Sequence, residues 1–82
     1  MKNDGPLQPL LHQASEHFQR SNQTEIAGLL QILSKAAKLR RLNREEIEKI
    51  SLIFAPEGPW EKSAGPAELP LTLAKVLERS QG

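Results

Sequence analysis

The sequence predicts an all-α fold: a small three- to four-helix bundle or orthogonal helical array, with a long Pro/Gly loop before the last helix. Apolar residues recur at intervals of three and four along most of the chain, which is the period of a helix. Asparagine is twice followed three residues later by glutamate, a pattern that begins helices. Strand-like alternation occurs only around Pro70, and a proline argues against a central strand there. With 82 residues, we expect one helical domain over 1–82.

The first two helices are predicted from their apolar faces, after a disordered lead-in over residues 1–5. The first helix begins at Pro6 or Pro9, because a proline in the first turn loses no hydrogen bond. The second runs from about 23 to 41, with Asn22 and Glu25 as its capping box. Its apolar residues lie on more than one side, so we expect it to be central. The predicted buried faces are Leu7, Leu10, Leu11, Ala14 and Phe18 in the first helix, and Ile26, Leu29, Leu30, Leu33, Ala36 and Ala37 in the second.

The chain is predicted to break at 42–43 and to begin a third helix. Asn43 and Glu46 form a second capping box, and Leu42 with Ile47 form the hydrophobic staple around it. The third helix carries Ile47, Ile50 and Phe54 on one face, and Pro56 stops it. Three prolines and two glycines over 55–68 predict a long loop. A last helix follows over about 71–80, with Leu69, Leu73, Val76 and Leu77 as its buried stripe.

Composition narrows the class of protein and its location. Eleven Lys or Arg residues stand against ten Asp or Glu, and cysteine is absent. Balanced charge is not typical of a strongly basic nucleic-acid binder. The lack of cysteine excludes disulfides and thiolate-bound metal. No apolar run approaches the roughly 20 residues that span a bilayer, and no export signal is recognisable at the N-terminus. We therefore expect a cytoplasmic protein that does not enter the membrane.

No pattern of catalytic or metal-binding residues stands out. His12 and Glu16 have the helical spacing of zinc ligands, but His17 is rotated by about 140° from His12, and no third ligand is evident. We expect both histidines to face solvent, and a metal-binding protein using them is a minor alternative. The serines lack a strained nucleophile turn, and no phosphate-binding loop occurs. The expectation is therefore no enzyme activity, no cofactor and no metal.

The apolar side chains are many for so short a chain to bury alone, and this excess predicts a protein–protein interaction module. Such a module could be an adaptor, an accessory subunit, a secretion chaperone or a regulator, with another protein or a second copy as its partner. Trp60 is either a lid folded on the core or an exposed anchor for the partner. The predicted partner-binding residues are Ile32, Leu39, Leu52, Ile53 and Trp60.

A basic segment over 35–44 carries the alternative, a small DNA- or RNA-binding regulator. Its cations, which could grip phosphates, are Lys35, Lys38, Arg40, Arg41 and Arg44. A simpler interpretation is that cations at the end of one helix and glutamates at the start of the next complement the two helix dipoles. We expect the simpler interpretation to hold and do not expect nucleic acid as a partner.

Overall fold

The protein is an all-α array, as the sequence predicts. The computed structural model describes residues 5–81, and within that range it contains helices and turns but no strand. The elements are a 3-10 helix over Gly5–Leu7, α1 over Gln8–Arg20, α2 over Thr24–Leu39, α3 over Arg44–Ile53, α4 over Pro59–Lys62 and α5 over Glu68–Gln81. The lead-in expected over 1–5 lies outside the described residues except for Gly5, which begins the 3-10 helix.

Helices α1 and α2 form the centre of the fold. They pack against each other more extensively than any other two elements of the described chain, and the 3-10 helix packs on both. Helix α5 packs on α1 and on the 3-10 helix. The centre is therefore the α1–α2 pair, and not α2 alone as the apolar residues on several sides of α2 suggested. One side of α2 stays uncovered.

The turn between α1 and α2 corrects the first predicted capping box. Asn22 does not cap α2; it lies at a φ of 64°, just beyond the end of α1. Its N–H donates to the Gln19 carbonyl at 3.2 Å, and the Gln23 N–H donates to the Phe18 carbonyl at 2.9 Å. This pair of bonds is the Schellman motif, and asparagine is among the few residues besides glycine that adopt its left-handed position. Gln23 is the N-cap of α2, without a side-chain hydrogen bond.

The core contains part of each apolar face that the helical period predicts, and the other members of those faces, such as Leu29, Ile47 and Leu77, are half-buried against it. Its buried apolar members are Leu7, Leu11, Ala14, Phe18, Ala27, Leu30, Leu33, Ala37, Leu42, Ile50, Ile53, Trp60 and Leu73. Two buried serines join them and are hydrogen-bonded. Ser15 Oγ donates to the His12 carbonyl at 2.7 Å, within the same helix. Ser34 Oγ donates to the Gln8 carbonyl at 3.2 Å, which ties α2 to the start of α1.

The break between α2 and α3 is confirmed, and the segment after α3 is more ordered than predicted. Asn43 and Glu46 form the complete capping box of α3. Within the predicted loop over 55–68, the chain forms the one-turn helix α4, which begins at Pro59. Helix α5 begins at Glu68 and not at 71. Pro70 therefore lies inside the first turn of α5, where a missing N–H loses no helical hydrogen bond.

Candidate functional site

Among the residues that the structure describes, four large apolar side chains are exposed on the helices. Ile32 is 66% exposed, Leu39 78%, Leu52 69% and Leu71 65%. Three of them are among the five residues predicted to bind a partner, and Leu71 is an addition. Ile32 and Leu39 lie seven residues apart on α2, which places them two turns apart on the same side of the helix.

The exposed side of α2 has a defined pattern, and we call it the outer face. At 100° per residue its members fall within an arc of about 80°; they are Glu25, Gly28, Ile32, Lys35 and Leu39. Gly28 leaves a notch in this face, because a Cβ placed there would meet nothing within 4 Å. The outer face therefore offers a notch, two large aliphatic side chains and one charge of each sign.

The other two predicted partner-binding residues lie in the core. Ile53 and Trp60 are buried, which corrects their assignment to an exposed surface. Ile53 lies one turn from the fully buried Ile50 on α3, and so faces the same way. Leu52, its neighbour in sequence, points outward because successive helical side chains are about 100° apart.

Of the two alternatives for Trp60, a lid folded on the core or an exposed anchor, the structure shows the lid. Its ring packs against Phe54 at a centroid distance of 5.1 Å and against Phe18 at 5.6 Å in an edge-to-face arrangement. The indole Nε1–H donates to the Pro66 carbonyl at 3.0 Å. Buried indoles are normally satisfied by such a bond, and the aromatic contacts fix the ring. Helix α4 thereby anchors the segment between α3 and α5 to the core.

His17 belongs to the same cluster, which corrects the expectation that it faces solvent. Its ring lies 4.8 Å from the Trp60 ring, and its Nε2 is 2.9 Å from Ser63 Oγ and 3.2 Å from the Ser63 carbonyl oxygen. A carbonyl only accepts, so Nε2 carries the proton. Ser63 Oγ in turn donates to the Trp60 carbonyl at 2.7 Å. His17 is a structural link between α1 and α4.

His12 does face solvent, where its Nε2 lies 3.1 Å from Glu16 Oε1. Within residues 5–81 no three His, Asp or Glu side chains are grouped so that they could hold a metal ion. His12 and His17 are thus not brought together with a third ligand by any described part of the chain.

A cleft of about 450 Å³ lies beside the aromatic cluster. It is lined by Gln13, Glu16, His17, Arg20, Trp60, Pro66 and Leu69. The Glu16 carboxylate on its rim lies 3.8 Å from the Arg20 guanidinium, and both side chains are well exposed. Among the described residues, every buried side-chain nitrogen and oxygen has a hydrogen-bond partner. The cleft therefore presents no buried polar group aimed at a ligand.

The basic segment is exposed, and its central arginine is engaged within the chain. Arg40 forms a two-bond fork with Glu46, from Nη1 to Oε1 and from Nη2 to Oε2, each at 2.9 Å. Arg40 Nη1 also donates to the Arg41 carbonyl at 2.9 Å. The fork spans the break between α2 and α3, so it acts as a clamp on that junction. The remaining cations of the segment are Lys35, Lys38, Arg41 and Arg44, all with exposed side chains.

Electrostatics at the junction follow from this clamp. The hydrogen bonds from Arg40 lower the pKa of Glu46 below its ordinary value of 4.5, and the Asn43 backbone N–H adds to the effect. The same carboxylate raises the pKa of Arg40. Glu46 Oε1 accepts from the Asn43 N–H at 2.9 Å, and the Glu46 N–H donates to Asn43 Oδ1 at 2.8 Å. One carboxylate thus completes both the capping box and the clamp.

Comparisons of the chain with protein-family models, with curated proteins and with solved structures find no match. The helices described over residues 5–81 include none that is both long and apolar enough to cross a bilayer. The features available for assigning a function are therefore those of the chain itself.

Two features of the exposed surface were missed from the sequence, although the helical period contains both. Leu71 lies 200° from the buried Leu73, so it points away from the core. Gly28 lies one turn before Ile32, on the same side of α2. Sequence reasoning passed over Gly28 because it counted apolar side chains, and a notch has none.

Proposed function

We propose that the protein is a small protein-binding module, such as an adaptor, accessory subunit, secretion chaperone or regulator, and that it acts by binding and not by catalysis. The exposure of Ile32, Leu39, Leu52 and Leu71 beside a well-formed core carries this proposal. Single exposed aliphatic residues are common on protein surfaces. Two of them on one helix face, next to a notch, form a shape that another helix can fit.

Burial supplies the driving force for this binding. Removing a leucine or isoleucine side chain from water contributes roughly 1.5–3 kcal/mol when burial is complete. Ile32 and Leu39 together would contribute about 3–6 kcal/mol. A micromolar association needs about 8 kcal/mol beyond the loss of translational freedom, so apolar side chains of the partner have to supply the remainder. Buried Ile53 and Trp60 contribute instead to the stability of the fold.

Site-specific photo-crosslinking in the native cells tests the proposal. A benzoylphenylalanine probe in place of Ile32 or Leu39 should crosslink to a protein, whether another protein or a second copy. The same probe in place of Gln31, which is exposed on α2 about 100° around the helix from Ile32, is the matched control. Crosslinking at Ile32 and Leu39 no stronger than at Gln31 would contradict the proposal.

The cytoplasm is the compartment that we propose for this interaction. Fractionation of the native cells, with immunodetection of the untagged protein, checks this part separately. Recovery mainly outside the cytoplasmic fraction would contradict the location without affecting the binding proposal.

A further inference from the structure

Gly28 lies inside α2, at its fifth residue, where glycine is a poor helix former. Glycine in a helix interior is destabilising relative to alanine, because it loses more backbone freedom on folding. Its φ is not positive, so the backbone conformation does not require glycine. An added Cβ would meet nothing within 4 Å, so packing within the described chain does not require it either. Neither the backbone conformation nor the packing among the described residues therefore accounts for this glycine.

The neighbours of Gly28 on the outer face suggest what that reason is. Ile32 projects into solvent one turn after the notch and is 66% exposed. A helix face with a notch and a knob of matching size one turn apart can pack against a copy of itself. Small residues serve this purpose in helix pairs, because they let two backbones approach closely.

We propose that α2 packs antiparallel against α2 of a second copy of this chain, with Ile32 of each copy seated in the Gly28 notch of the other. This inference rests on the proposed binding function and names its partner. A twofold axis makes each contact occur twice, as in most homodimers. Because residues 28 and 32 face each other, the axis passes at the level of Leu30.

Charges on the outer face are placed symmetrically about the same level. Glu25 lies five residues before Leu30 and Lys35 lies five residues after it, so each glutamate would face a lysine of the second copy. Both side chains are exposed. A parallel pairing would instead set glutamate beside glutamate and lysine beside lysine, which is unfavourable. The Ile32 side chain, the Gly28 notch and the two charges are thus all matched by the same antiparallel arrangement. This self-complementarity favours a second copy over an unrelated partner.

Glu25 and Lys35 cannot make this ion pair within one chain. Ten residues of helix separate them by about 15 Å along the axis. None of the salt bridges formed among the described residues includes either side chain. A charge exchange between the two positions therefore breaks no salt bridge among the described residues. Its effect on the first turn of α2, where Glu25 complements the helix dipole, is measured separately by urea unfolding of each variant.

Sedimentation velocity of the full chain from about 1 μM to 1 mM measures the association. The wild type should dimerise with a dissociation constant in the micromolar range, since one helix pair makes a small interface. Glu25→Lys and Lys35→Glu should each weaken the dimer about tenfold or more, because each creates like-charge contacts twice. The double variant E25K/K35E should recover to within about threefold of the wild type, because opposite charges again meet across the axis. Glu45→Lys, a charge reversal on α3, should leave the dimer unchanged.

Gly28→Leu provides a second measurement that does not depend on charge. Leucine is a good helix former and fills the notch, so the variant should remain folded, with an unfolding midpoint in urea at or above that of the wild type. The dissociation constant of its dimer should rise more than tenfold, because Ile32 of the second copy can no longer enter the filled notch. A wild type that stays monomeric up to about 1 mM, single charge variants without effect, a double variant without recovery, or a Gly28→Leu variant that dimerises normally would each overturn the proposal.

The crosslinking experiment separates this inference from the proposed function. Probes at Ile32 that capture a different protein, from a chain that sediments as a monomer, would uphold protein binding and overturn the dimer. Probes that capture the chain itself, together with recovery by E25K/K35E, would uphold both.

Discussion

The turn after α4 shows how two neighbouring residues can have opposite requirements. Gly65 lies against the indole of Trp60, and a Cβ there would be 2.9 Å from Cδ2 and closer still to Cε2 and Cζ2. Ala64, one residue earlier, has a φ of 59°, a conformation that favours glycine. The chain therefore has glycine where space is short and alanine where the backbone is strained.

Exchanging the residue types at these two positions should move stability in opposite directions. Gly65→Ala should destabilise the fold by roughly 1–3 kcal/mol, because Trp60 must shift within its packed cluster. Ala64→Gly should stabilise it by about 0.5–1 kcal/mol, because relief of the left-handed strain exceeds the added freedom of the unfolded chain. Urea unfolding followed by the fluorescence of Trp60, the only tryptophan, measures both. Equal shifts of the two variants, or stabilisation by Gly65→Ala, would contradict the packing described here.

The two Asn-x-x-Glu patterns show where local sequence stops being sufficient. Asn43 caps α3, as predicted, but Asn22 terminates α1. Asparagine suits both roles, since its side chain can accept from a helix N-terminus and its backbone tolerates the left-handed position. Only three residues separate α1 from α2, so the reversal of direction has to begin at once. The deciding factor is the tight packing of the two helices, which the four-residue pattern does not contain.

At the scale of the elements, the helical period predicted the four longer helices and most of the core. It could not predict α4, because a single turn has no repeat to recognise. The sequence predicts the start of α5 too late, because Pro70 favours a position before the helix and is equally compatible with its first turn. The lid role of Trp60 depends on α4 and on contacts with α1, which are distant in sequence. For that reason the sequence left both alternatives for this residue open.

The α2–α3 junction makes stability depend on the ionisation of one carboxylate. The pKa of Glu46 is lowered in the folded protein, chiefly by Arg40. The Glu46 carboxylate therefore contributes fully to the free energy of unfolding above its ordinary pKa of 4.5. This contribution is lost as the pH falls through the lower pKa of the folded protein. Glu46→Gln keeps an oxygen for the capping box but removes the charge.

Urea unfolding at a series of pH values from about 7 to 3 measures this dependence. At neutral pH the wild type should be more stable than Glu46→Gln, and the difference should shrink once the pH falls below about 4.5. Glu45→Gln removes a carboxylate from the same first turn of α3 and is the matched control for loss of charge alone. A difference between the wild type and Glu46→Gln that is constant across this range would show that the charge on Glu46 contributes nothing.

For the molecule as a whole, the exposed aliphatic residues and the basic segment are the two surfaces that could bind a partner. The composition predicts an excess of apolar residues, but the sequence predicts only part of where the exposed ones lie. Leu52 and Ile53 were assigned to the same surface, although only Leu52 is exposed. The difference follows from the orientation of α3 on the core, which buries Ile50 and Ile53 and leaves Leu52 exposed.

We expect helix electrostatics, and not nucleic-acid binding, to account for the basic segment. Arg40 already directs both of its terminal nitrogens to the Glu46 carboxylate. A phosphate would have to displace this fork and would then face the uncompensated carboxylate. Glu45 and Glu48 lie on the same helix and add further negative charge. Lys38 lies in the last turn of α2, and Glu45 and Glu46 lie in the first turn of α3, which is the arrangement that two helix dipoles favour. Arg44, the first residue of α3, is the exception.

We therefore predict no salt-sensitive binding of nucleic acid. Titration of the purified protein with duplex DNA and with single-stranded RNA, at about 50 and 200 mM salt, measures this. Affinity should be weaker than micromolar at the lower salt concentration for both polymers. A protein that neutralised several phosphates would instead bind at micromolar concentration and lose roughly 100-fold or more in affinity at the higher salt. In that event Lys35, Lys38, Arg41 and Arg44 would be the first residues to replace by alanine. Glu46→Gln would then tighten binding, because it releases Arg40 for a phosphate and removes a repelling charge.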